Sequence, residues 1–194
     1  MYKISAVFLS VILSFSLFNV AFAKEMPNFE THSITAEPEG IVLEVDSQEE
    51  FEALTQEIKE SNARANKMWE EAQARISDEP PLEARSITPR AYGTTNYKFT
   101  IKNNKISLIL RYETTSTTGG IKRFSKVHDF LVTPHVNYTG VNNVHWQYEY
   151  LDSNRTVAVN TSFIVSIKEI SGNYHNYDVT KYVEYYASGG VRGW

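Results

Sequence analysis

Between positions 156 and 167, every second residue is apolar or β-branched: Val157, Val159, Thr161, Phe163, Val165 and Ile167. A period of two fits a strand and excludes a helix, because successive strand side chains point to opposite faces. A strand with so long an apolar face has to bury it, so the rest of the chain must supply a sheet and a second layer. Residues 97–101 and 106–110 alternate in the same way on either side of Lys102-Asn103-Asn104-Lys105. An Asn103-Asn104 turn would set Ile101 opposite Ile106, Phe99 opposite Leu108 and Tyr97 opposite Leu110, three apolar pairs on one face. Gly119-Gly120 marks a second turn, between residues 112–118 and 121–132. Residues 144–150 place Val144, Trp146, Tyr148 and Tyr150 on one side, and Asp152-Ser153-Asn154 makes the next turn. The final segment fits two periods. Val179, Tyr182, Val183 and Tyr186 have helical spacing behind Asp178 as a cap, while Tyr177, Val179, Val183 and Tyr185 fit a strand. The reading favours a short helical turn followed by an extended tail. The fold class expected is mainly β: an antiparallel β-sandwich or small barrel of about six to eight strands.

An acidic strand-helix arm precedes this β-domain. Residues 24–84 carry a net charge of −11 and residues 85–194 a net charge of +6. Eleven of the twelve tyrosines lie from Tyr92 onward, so composition changes where charge does. Residues 40–45 read as a short strand. Ser47 with Glu50 three residues later is a capping-box signature. Phe51, Leu54, Ile58, Ser61, Ala65, Met68 and Ala72 then recur at alternating spacings of three and four, which predicts an amphipathic helix over about 48–76. Two alanines and a serine make this stripe a weak coiled-coil seam, so packing on its own domain is the favoured reading. Pro80 and Pro81 stop the helix. The organisation expected is an arm over 24–77, a linker over 78–91 and a basic, Tyr-rich β-domain over 92–194.

The first 23 residues have the form of a secretory signal: Lys3, then an apolar run, then Ala21-Phe22-Ala23 as the cleavage site. The chain contains no cysteine, which excludes a disulfide framework, a Cys-ligated metal and a thiol nucleophile. Small secreted eukaryotic domains usually rely on disulfides. Export without them indicates a bacterial protein, secreted or cell-wall associated, with a Gram-positive source the best fit. Three processing sites follow: Ala23 for the signal, and Arg85 and Arg90 within the linker.

Catalytic motifs are missing. There is no Gly-x-Ser-x-Gly elbow, no phosphate-binding Gly-Lys-Ser/Thr loop and no His-Glu-x-x-His. His128, Asp129, His135 and His145 would form a metal site only if strands brought them together, and surface histidines are the better reading. Seven acids in the β half offer no defined pair for glycoside hydrolysis. No metal and no cofactor are expected. Basic residues are scattered, so nucleic acid is not expected as a partner. Aromatic residues are the one enrichment, and Tyr182, Tyr185, Tyr186 and Trp194 near the C-terminus are the candidate contact residues. The function expected is a non-enzymatic binding module whose partner is a cell-envelope component or another protein. One alternative is a pro-protein whose acidic arm masks a basic domain released as an antibacterial or membrane-active toxin. An anionic membrane is a partner only for that released domain. The other alternative is a small hydrolase.

Overall fold

A computed structural model describes residues 33–34, 38, 40–76, 90–117, 119–135, 141 and 143–194. The signal segment with Ala23, and Arg85 with most of the linker, lie outside them. The elements in chain order are β1 (Ser33–Ile34), β2 (Ile41–Glu44), α1 (Gln48–Ala74), β3 (Ala91–Ile101), β4 (Asn104–Ser116), β5 (Lys122–Pro134), β6 (His145–Leu151), β7 (Thr156–Lys168), β8 (Tyr174–Tyr186) and β9 (Val191–Gly193). The fold is mainly β, with two sheets facing each other and one helix ahead of the long strands. Seven of the strands have four residues or more. In the larger sheet, β8 and β7 are central, with β1 and β9 on β8, and β2 and β6 on β7. The smaller sheet is the meander β3-β4-β5. Every pairing is antiparallel except β2 with β7.

The alternating face of β7 is the floor of the core. Val157, Val159, Phe163, Val165 and Ile167 have no exposed surface, and they face Ile106, Leu108 and Leu110 of β4, which have none either. Turn chemistry sets the β3–β4 register differently from the Asn-Asn expectation. The turn is Lys102-Asn103, with Lys102 at φ 51°, so Phe99 pairs with Ile106, Tyr97 with Leu108 and Thr95 with Leu110. A two-residue slip keeps every side chain on its face, so alternation could not distinguish the two registers. The Lys102 ammonium explains the choice: it donates to the Glu44 carbonyl and lies 2.8 Å from Glu50 Oε1, tying the turn to the helix start.

The helix begins as its capping signature predicts. Ser47 Oγ accepts from the Glu50 N–H at 3.0 Å, while the Glu50 carboxylate reaches past Ser47 to accept from the Asp46 N–H at 2.8 Å. Leu54, Ile58, Ser61, Ala65 and Ala72 of the stripe are buried, joined by Asn62 and Trp69, which the stripe omitted. Asn62 explains the helix's position. Its Nδ2 donates to the Asp178 carbonyl at 2.7 Å and its Oδ1 accepts from the Thr180 N–H at 2.7 Å. The side-chain amide thus stands in for a neighbouring strand along the edge of β8. Beside it the Lys181 ammonium donates to Ser61 Oγ at 2.7 Å and sits 4.9 Å above the Phe99 ring. Farther along, Ala65, Trp69 and Ala72 cover Ala158, Leu151 and Tyr182 on the outer face of the larger sheet.

The C-terminal segment is a strand throughout, not the helical turn favoured by its spacing. β8 is covered on both faces, by the smaller sheet and by α1, so it is apolar at positions of both parities: Val179, Val183 and Tyr185 on one side and Tyr182 on the other. A two-sided strand loses its period-two signature and mimics helical spacing.

Candidate functional site

Strand ends and turns at one end of the sandwich border an open recess of about 610 Å³. Lys122 borders it from the start of β5, Asp152 and Arg155 from the β6–β7 turn, Thr156 from the start of β7, Tyr186 from the end of β8 and Ser188 from the β8–β9 turn. The β6–β7 turn is unusual. Asp152, Ser153 and Asn154 all take left-handed conformations, at φ 54°, 54° and 65°. Side-chain crowding makes this region cost about 1 kcal/mol or more for each non-glycine residue, least for Asp and Asn. Three in succession persist only where the surroundings hold them. Here the Asn154 carbonyl accepts from the Phe124 N–H at 2.7 Å and the Ser153 carbonyl from the Arg123 guanidinium at 2.8 Å, both from β5. The Arg155 carbonyl accepts from the Ala187 N–H at 2.8 Å. The turn therefore bonds to β5 of the smaller sheet and to the end of β8.

Beside the recess a polar network is built around one buried carboxylate. Glu184, 5% exposed, accepts from the Tyr182 hydroxyl at 2.8 Å, the Tyr186 hydroxyl at 2.8 Å and the Arg75 guanidinium at 2.7 Å. Arg75, which caps α1, also donates to Asp152 Oδ2 at 3.2 Å, and that oxygen accepts from the Thr156 hydroxyl at 2.9 Å. Burial works against the Arg75 charge, but Glu184 and Asp152 outweigh it and hold the guanidinium above its ordinary value. Burial, with Glu184 as a hydrogen-bonded neighbour, pushes the Tyr182 and Tyr186 hydroxyls up.

A second, shallower recess of about 290 Å³ lies on the smaller sheet beside Tyr92, Gly93, Arg111 and His128. Against two of these residues, His128 and Tyr92, lies Glu113, a carboxylate 4% exposed. The register between β4 and β5 shifts between Arg111 and Tyr112, where Arg111 pairs with Asp129 but Tyr112 with Val127. His128 is the extra residue, and the bulge aims its ring at Glu113. His128 Nε2 lies 2.8 Å from Glu113 Oε1, Arg90 lies 3.6 Å from Oε2, and Tyr92, 80% exposed, stacks on the His128 ring at 5.6 Å. Burial raises the Glu113 carboxyl, but hydrogen bonds from His128 and Tyr92 and the charges of His128 and Arg90 prevail and hold it below its ordinary value. Gly93 is required here: a Cβ would meet the Tyr112 ring at 2.5 Å.

The four aromatic residues singled out in the sequence are placed unequally. Tyr182 and Tyr185 are fully buried and offer no contact surface, because β8 is central. Their hydroxyls donate to Glu184 and to the Leu108 carbonyl, the latter at 2.9 Å. Tyr186 borders the turn recess, and Trp194 packs on Tyr182 at 5.4 Å beneath the Arg192 guanidinium. Arg90 is the described processing candidate, paired with Glu113 immediately before β3. His128, His135 and His145 do not converge. His135 bonds Ser107, His145 lies exposed on β6, and no group of three metal-binding side chains occurs among the described residues. Missed by sequence reasoning were the recess at the turn end and the Glu113 cluster. A signal for the second exists: Phe124, Val127 and Phe130 are buried at spacings of three, which a strand accommodates only by bulging. Comparison with protein families, curated proteins and solved structures finds no match to this chain.

Proposed function

We propose that this chain is an exported bacterial binding module, non-enzymatic, that works at or near the cell envelope and takes its ligand in the turn recess. The observation that carries this reading is the braced left-handed turn beside the recess, strained backbone held in place by both sheets. Strain of this kind collects at ligand sites, and turns at the end of a sandwich are a common place for them. The arm belongs to the working protein in this reading. Ile41 and Leu43 of β2 are at most 1% exposed, and Leu54 and Ile58 of α1 join the same core. A released toxin domain would have to shed all four, which speaks against the pro-protein alternative. His128 backed by buried Glu113 has the pairing of a general base, and it supports a hydrolase as the second reading.

The test is cosedimentation of the exported chain with purified bacterial cell walls and whole envelopes, with its intact mass measured. A species beginning at Lys24 that saturates on envelope material supports the module. A chain that cosediments with neither fraction refutes it. A species beginning after Arg85 or Arg90 revives the pro-protein.

A further inference from the structure

We infer that the ligand of the turn recess is a phosphate-bearing anion, a phosphomonoester or phosphodiester, gripped by Lys122 and Arg155. This rests on the binding-module reading and adds a ligand class to it. Both carboxylates nearby are already engaged within the protein: Asp152 by Arg75 and Thr156, and Glu184 by Arg75, Tyr182 and Tyr186. The cations facing the recess are not. Among the described residues neither Lys122 nor Arg155 has a carboxylate partner, and Arg155 uses only its Nε, donating to the Asp152 carbonyl at 3.1 Å. The terminal guanidinium nitrogens and the Lys122 ammonium remain for a ligand. A guanidinium fork, an ammonium and the Ser188 hydroxyl together match the several acceptor oxygens of a phosphate. The left-handed turn fixes the Arg155 backbone, since its carbonyl is held by Ala187, so the fork is positioned before a ligand arrives. The net charge of +6 over residues 85–194 draws anions toward this half of the chain.

The experiment titrates the exported chain with four probes at low and moderate salt: a soluble glycerol-phosphate polymer, inorganic phosphate, phosphatidylglycerol vesicles and polyglutamate. The expected result is salt-sensitive binding of the phosphate polymer, with polyglutamate at least tenfold weaker. Lys122→Gln and Arg155→Gln should each weaken binding about tenfold. Arg155→Gln also loses a bond within the turn, so Ser188→Glu is the independent variant: it places a negative charge in the recess, leaves the turn bonds untouched and should abolish binding with an unchanged melting temperature. Vesicles outcompeting the polymer would name a lipid headgroup as the source of the phosphate. A response to inorganic phosphate alone would name a free ion. The first outcome keeps the assignment, and the second overturns it, because a free ion is not a phosphate ester. Equal binding of polyglutamate, or wild-type binding by both Lys122→Gln and Ser188→Glu, overturns it. If cell walls still bind every variant, the module stands and the phosphate assignment falls. If they bind none of the proteins, wild type included, both fall.

Discussion

Leu43→Ala tests whether the acidic arm is a structural part of the β-domain. Leu43 lies on β2, has no exposed surface and packs in the same cluster as Ile167 and Val165 of β7. Truncating a buried leucine costs about 2–5 kcal/mol, with the value set by how far the site collapses around the cavity. β2 is only four residues long and, among the described strands, pairs with β7, so it can shift inward, which places the cost near the lower-middle of that range, about 3 kcal/mol. For a domain of roughly 100–150 residues, each kcal/mol lowers the melting temperature by about 3–5 °C, so the variant should melt about 9–15 °C early. Ile76→Ala is the control within the arm. Ile76 is 41% exposed, and its loss should stay within about 0.5 kcal/mol. The assay is urea unfolding of both variants with the slope held in common. If Leu43→Ala costs less than about 1 kcal/mol, β2 does not sit in the core and the reasoning that makes the arm permanent fails.

Asn62→Ala removes both partners of the β8 edge, leaving the Asp178 carbonyl and the Thr180 N–H without them. The loss should be about 2–4 kcal/mol, with faster hydrogen exchange at Thr180, and protection unchanged at that amide would show that the bridge is not made. Glu113 has a lowered folded pKa, so its contribution to stability is full above the unfolded value of about 4.3 and is lost as pH falls through the lower folded value. Wild type should therefore lose stability on acidification below about pH 4.3 in a way that Glu113→Gln does not, and parallel acid profiles for the two proteins would contradict this. Burial pushes the Tyr150 hydroxyl up to about 12 and also raises Tyr97, Tyr182, Tyr185 and Tyr186. A raised folded value means stability is full below the ordinary tyrosine pKa and lost as pH climbs through the folded one, so alkaline unfolding and the ultraviolet signature of these tyrosinates should appear together. Ionisation of every tyrosine near pH 10 with the fold intact would refute the burial argument.

How much of this was legible depended on whether an element has one buried face or two. β7 showed its period because its inward positions, Thr161 apart, are apolar, while those of the other parity, Ile164 apart, are small or polar, such as Ala158 and Asn160. β8 lies beside it in the same sheet, yet it places Tyr182 against Trp69 on one face and Tyr185 against the core on the other, so its spacing read as helix. The same burial explains the contact tyrosines: richness in tyrosine near the C-terminus marked a core strand whose hydroxyls find partners inside, at Glu184 and the Leu108 carbonyl. The helix was legible at its start, from Ser47 and Glu50, but not in its docking, because Asn62 acts through backbone groups more than a hundred residues away. The sites are a harder case of the same kind. Glu113 and His128 meet only because a bulge shifts one strand by a residue, and Lys122 meets Arg155 only because a strand start and a separate turn converge. Only the first has a local spacing to betray it. Both places do conflict with regular structure: in the first the sequence carries an apolar spacing of three inside a strand, and in the second the structure holds three non-glycine residues in a left-handed turn. Such conflicts persist where tertiary bonds hold them, which makes them the physical reason to look there first for function.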